Sequence, residues 1–180
     1  MKKLLNWVVL SVLMLVLAVP MVSCDDDDDP QYPQVTSESL QGNWKRGEDD
    51  KSYIFYTVVN PEDKALMTGG RWVEVAQEGL VTVTELAFEG DKVTAKISEN
   101  VSNVGDFSVD KGMITLKAGD IDQAFKIQFR GMDTNNIGLS YECLGNILQR
   151  VYAEDGKTQI SQVVAENVKV KVTVHYDRVK

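Results

Sequence analysis

Few residues of this chain are of the types that do chemistry, and their spacing unites few of them. His175 is the only histidine, so a nucleophile–imidazole–carboxylate relay would have a single candidate base. That base stands in Val172-Thr173-Val174-His175-Tyr176, in phase with Lys169, Lys171 and Thr173 on the polar side of an alternating run. It reads as an exposed strand residue. The cysteines, Cys24 and Cys143, lack the paired Cys/His spacing of a zinc site. Asp133-Thr134-Asn135-Asn136-Ile137-Gly138 opens like a calcium loop, but Ile137 occupies a ligand position and Leu144 stands where the closing glutamate belongs. A polar turn is the expectation there, and a solvated turn at Gly119-Asp120-Ile121-Asp122. No phosphate-cradling glycine loop precedes a helix, and nothing marks a glycosidase carboxylate pair. The chain reads as a non-enzyme without metal or cofactor. The residues left for binding are the aromatics Tyr53, Phe55, Tyr56 and Trp72. These either pack a core or offer faces to sugars and apolar ligands.

The elements that must hold these residues begin with a leader. Met1-Lys2-Lys3 is basic, Leu4 to Val19 is almost wholly apolar, and Pro20 breaks the run before Ser23 and Cys24. A charged start, a short apolar stretch and a small residue at the cut are the parts of a secretory signal. A transmembrane helix needs about 20 apolar residues, more than this run supplies. Met21-Val22-Ser23-Cys24 resembles the bacterial lipobox, with Met21 where leucine is usual. The resemblance implies cleavage after residue 23 and acylation of Cys24. Several acyl chains, at ~0.8 kcal/mol per buried CH₂, make a firm anchor. Asp25, Asp26, Asp27, Asp28 and Asp29 repel one another and form a solvated, extended block. Placed directly after such a cysteine, the block resembles the surface-export signal of Bacteroides-type lipoproteins. That resemblance implies the outer face of the outer membrane, with a periplasm-facing anchor as the alternative. Residues 24–36 read as anchor and tether, stiffened by Pro30 and Pro33.

Losing the leader removes Lys2 and Lys3 and moves the formal charge from -8 to -10, of which the aspartate block supplies five. A folded part near -5 is ordinary for solubility and argues against nucleic acid as a partner. Residues 37–180 suit one domain with a core large enough to need no disulfide staple. With Cys24 acylated, Cys143 has no internal bridging partner. It is in phase with Ile137, Leu139 and Tyr141 and reads as a buried, inert core thiol.

Past the tether the dominant period is two. Val93, Ala95 and Ile97 oppose Lys92, Thr94, Lys96 and Ser98, while Phe125, Ile127 and Phe129 oppose Lys126, Gln128 and Arg130. Val168, Val170, Val172, Val174 and Tyr176 oppose Lys169, Lys171, Thr173 and His175. Such alternation, with one wet face, predicts antiparallel sheet. Glu89-Gly90-Asp91, Asp110-Lys111-Gly112, Gly131-Met132-Asp133 and Gly145-Asn146 are expected to be turns. Residues 52–59 are apolar on both sides and predict a strand covered from two directions. Residues 158–167 are the one later helix candidate.

Gly42-Asn43-Trp44, after a possible helical turn at Thr36–Leu40, resembles the Gly-x-Trp signature that opens lipocalins. The resemblance implies an eight-stranded antiparallel barrel with Trp44 plugging its closed end. It also implies a cation–π partner near the terminus, Arg178, with Arg150 in reserve. Gly42, Trp44 and Arg178 are thus expected to close the barrel. An immunoglobulin-like β-sandwich is the alternative fold. The expected function is a lipid-anchored surface module binding a small apolar or glycan ligand. The alternative is an accessory subunit of an outer-membrane complex with no small ligand.

Overall fold

Alternation every second residue becomes one curved antiparallel sheet in the computed structural model, which describes residues 32–47, 53–76 and 79–180. The leader, Cys24 and the aspartate block lie outside the described residues. Helix α1 (Ser37–Leu40) leads into β1 (Gly42–Lys45), then β2 (Ile54–Val58), helix α2 (Pro61–Ala65) and β3 (Trp72–Val75). A 3₁₀ turn (Gly79–Thr82) precedes β4 (Glu85–Glu89), β5 (Lys92–Ser98), β6 (Val101–Asp110) and β7 (Met113–Ala118). The chain finishes with β8 (Ile121–Phe129), β9 (Asn136–Tyr152) and β10 (Gln159–Arg178).

The pairing order β10-β1-β4-β5-β6-β7-β8-β9 returns to β10 through the β9–β10 ladder. That closure makes a lipocalin-like eight-stranded barrel and removes the free edges of an open sheet. A sandwich would have left two separate sheets. Strands β2 and β3 are additions beside the longest pair: β2 lies along Val170–Val174 of β10, and β3 along Gly145–Leu148 of β9.

The antiparallel registers sort the turns between two ends. At one end lie the N-terminus of β1, the β4–β5, β6–β7 and β8–β9 turns, and the C-terminus of β10. At the other lie the β5–β6 and β7–β8 turns and the whole upper part of the β9–β10 hairpin. Close strand approach decides one residue in the wall: a Cβ on Gly105 would stand 1.6 Å from the Lys117 carbonyl oxygen.

The inward set predicted from alternation forms the core. Val93, Ala95, Phe125, Ile127, Phe129, Val168, Val170, Val172, Val174 and Tyr176 are all buried, joined by Trp44, Leu86, Phe88, Ile114 and Leu116. Each fully buried large aliphatic or aromatic side chain contributes about 1.5–3 kcal/mol. Outside, Lys92–Asp106, Lys169–Glu142 and Lys96–Glu85 pair across strands in water, where such pairs are worth at most about 1 kcal/mol.

Four local expectations are corrected. Gly145-Asn146 is no turn, because residues 136–152 run as one strand about 55 Å long at 3.3 Å per residue. Residues 158–167 are strand, held by the ladder to β9 despite two register shifts. The run Leu80 to Phe88, which leads into the Glu89-Gly90-Asp91 turn and predicts strand throughout, is strand only from Glu85, and its start lies in the 3₁₀ turn (Gly79–Thr82). Strand β2 is only partly covered: Ile54 and Val58 are buried, while Tyr56 between them is 36% exposed and Phe55 on the opposite face 40%.

Candidate functional site

The two ends of the barrel are built for different purposes. At the closed end Thr36 caps α1 reciprocally with Ser39, and that helical turn aims the Leu40 carbonyl at the barrel. Trp44 Nε1 donates to it at 2.7 Å. Gly42 has φ +109°, a backbone state that a side chain strains, so glycine two residues before the tryptophan turns the chain into the barrel wall. Arg178, the register partner of Trp44, places its guanidinium carbon 4.2 Å from the indole centroid. The same guanidinium donates to the carbonyls of Gln41 (2.6 Å) and Ser39. Gly42, Trp44 and Arg178 are therefore brought together. Arg150 is far along the ladder from them and lies 5.9 Å from the Trp72 ring instead.

Above this plug, buried side chains pack the lumen among the described residues. Leu80, Val81 and Val83 are buried, and the interior Tyr176 hydroxyl donates to the carbonyls of Leu80 (3.4 Å) and Val83 (3.2 Å). Burial pushes the Tyr176 phenol well above its usual range, so it remains a donor. The 3₁₀ turn is thus a lid on the core, and its other side faces the open end.

There a cleft of about 640 Å³ opens between the 3₁₀ turn, the start of β8 and the middle of β9. Leu80, Thr82, Asp120, Gln123, Tyr141 and Cys143 line it. It exists because β8 leaves β9 beyond Ser140, and β3 takes up that edge only from Gly145 onward. Tyr141 stands edge-on to Phe125, centroids 5.6 Å apart. Its phenol is pushed up to about 12, chiefly by burial. Burial also raises the Cys143 thiol, keeping it protonated. Cys143 is half-buried at the cleft, a correction to the expected sealed core position, because its strand rises past the filled part of the lumen. Asp120 adds a carboxylate, Gln123 an amide and Thr82 a hydroxyl, so the lining offers donors and acceptors beside an aromatic face.

The four aromatics singled out for binding are dispersed. Tyr53 donates to the Asp177 carboxylate at 2.8 Å, a structural tie toward the closed end. Phe55 packs its ring 4.9 Å from His175 on the outer wall. Tyr56 is the register partner of Val172, itself opposite Tyr141, and so borders the cleft strand. Trp72 lies on the outer face of β3 beside Leu148. His175 is half-buried against Phe55, with Nδ1 buried and unbonded among the described residues. Desolvation, then the Arg130 cation, lowers its pKa to about 4. The expected exposed strand residue is thus half-buried, because Phe55 of β2 packs against its ring. Asp133 accepts from the Asn135 amide and closes its own turn.

Asp120 and Gln123 were missed as binding candidates. Their neighbours in sequence carry no motif, and only pairing across strands gives them company. Compared with known proteins, the chain matches no protein-family model, no curated protein and no solved structure.

Proposed function

We propose that this chain is a lipid-anchored module of the outer cell surface that binds a glycan at the open end of its barrel. The carrying observation is a 640 Å³ cleft, within the usual range for small-ligand sites, sitting on a filled lumen and lined by Asp120, Gln123 and Thr82 beside Tyr141. Buried side chains packed between the walls favour a ligand at the mouth over an apolar one inside. At the mouth, an apolar ligand would strip water from the Asp120 carboxylate without returning a hydrogen bond. A sugar returns those bonds through its hydroxyls and lays its C–H face on the phenol ring.

The placement of the N-terminal segment supports display. Residues 32–35 line a groove with Lys111, Gly112, Ile127 and Gln128, at the closed end. Residue 32, the first described residue, thus stands at the end opposite the cleft. Titration calorimetry of the protein against neutral and acidic oligosaccharides tests the ligand class. Asp120→Asn and Gln123→Ala are expected to weaken binding about tenfold each, the worth of one good hydrogen bond lost. Binding of fatty acids in preference to every sugar overturns the glycan reading. For the address, Cys24→Ala is expected to release the protein from the membrane fraction. Alanine at residues 25–29 is expected to protect it from protease added to whole cells. Equal digestion of both versions makes the acidic block a spacer.

The accessory-subunit reading draws on one observation, the exposed Tyr152, Ile160 and Val163 on the β9–β10 hairpin.

A further inference from the structure

The longest hairpin continues past everything that supports it. Beyond Leu148 on β9 and Val163 on β10, the ladder pairs Gln149–Tyr152 only with Gln159–Gln162, and no third strand joins among the described residues. One face of this arm carries a row of side chains in register. Trp72, Leu148 and Val163 form its base, Arg150 and Ser161 the next step, Tyr152 and Gln159 the outermost. Leu148 is buried beneath the row and Trp72 is half-buried, which anchors the base. Tyr152 is 64% and Val163 43% exposed. The Gln159 amide donates to the Tyr152 hydroxyl at 3.3 Å. Arg150 is exposed, its guanidinium carbon lies 5.9 Å from the Trp72 ring, and it makes no ion pair among the described residues.

We infer that this face is a second binding surface, a platform for an extended acidic glycan lying along the arm with its rings on Trp72 and Tyr152 and a carboxylate on Arg150. Four residues along the strand, at about 3.3 Å each, put the two aromatic positions about 13 Å apart, a few sugar units along a chain. The guanidinium between them supplies the planar fork that a uronate carboxylate fits. Area decides against a protein partner. Two strands about 4.8 Å apart and some five residues long present roughly 200 Å², well short of the ~800 Å² per partner of a stable protein interface. A glycan chain needs only a strip. The surface lies on the outer face of β9, whereas Tyr141 and Cys143 of the cleft are on the inner, so the platform stands or falls independently of the proposed cleft.

The test is titration of the full chain, purified in detergent, with polygalacturonate and with a neutral β-glucan. Trp72 fluorescence provides a second readout. The wild-type protein is expected to bind polygalacturonate at least tenfold more tightly than the neutral chain. Tyr152→Ala is expected to weaken both about tenfold, the range of a stacking anchor. Arg150→Gln is expected to erase the preference for the acidic chain. Tyr152 and Arg150 are exposed, so both variants are expected to keep the parent melting temperature. Asp120→Asn, which is expected to weaken glycan binding at the cleft, is expected to leave the effects of Tyr152→Ala and Arg150→Gln on polygalacturonate binding in place. The inference is overturned if neither polymer binds, if Tyr152→Ala binds as well as the parent, or if only the cleft variant loses binding. It is likewise overturned if a photo-crosslinker at residue 152 captures a protein on intact cells while added polygalacturonate fails to compete.

Discussion

The closed end and the hairpin arm are made from the same two strands, yet they are held by opposite means. At residues 174–178 β10 has β9 along 174–177 on one side, β2 at 174 and β1 at 177–178 on the other, and an arginine tying three elements together over Trp44. At residues 159–162 the same strand has one neighbour, and none of those residues is buried. A two-stranded ribbon is marginal in water when isolated, so the arm borrows its order from the base. Stability and display have been separated along a single strand, and exposed binding groups sit where packing is least demanding.

That contrast is testable from the strongest expected effect downward. Trp44→Ala is expected to cost about 3–5 kcal/mol, as large buried aromatics do, read from urea unfolding. An equal loss from Tyr152→Ala would erase the distinction between the two ends. Arg178→Ala is expected to cost about 2 kcal/mol through the lost ring contact and two unsatisfied carbonyls, with Arg178→Lys recovering part. Gly42→Ala, forced into φ +109°, is expected to cost about 1–2 kcal/mol. Tyr176→Phe removes the donor to the Leu80 and Val83 carbonyls and is expected to cost about 1 kcal/mol, without disturbing the arm. Hydrogen exchange sharpens the same comparison: amides of 174–178 are expected to open only with global unfolding, those of 159–162 by local opening.

The smallest effect is on pH. His175 titrates near 4 in the fold against 6.5 when free. The unfolded chain therefore binds the extra proton between those values. The contribution of this imidazole is complete above about 6.5 and is lost as pH falls toward 4. Melting temperatures at pH 7.5 and 4.5 are expected to differ less for His175→Phe than for the parent.

Legibility followed the range of the interaction involved. Val168 to Tyr176 announced its buried face because a strand's side chains alternate whatever lies opposite. The α1 turn and its Thr36 cap were visible for the same local reason, and Gly42-Asn43-Trp44 named the residues that now meet at the closed end. Gly145-Asn146 misled because turn chemistry was read without knowing that β3 and β10 flank that point and keep it extended. The 158–167 run misled likewise, since its helical character is overridden by a ladder to residues far away in sequence.

What the chain determined by itself is period, punctuation and composition: strands with one wet face and glycines where backbone must turn. These are properties of neighbours. Which strands meet was decided only in three dimensions. The departure of β8 from β9 that opens the cleft, and the row of Trp72, Arg150 and Tyr152, depend on residues about 20 to 80 positions apart in sequence. Their proximity comes from ladder register, and no local pattern encodes a partner on another strand.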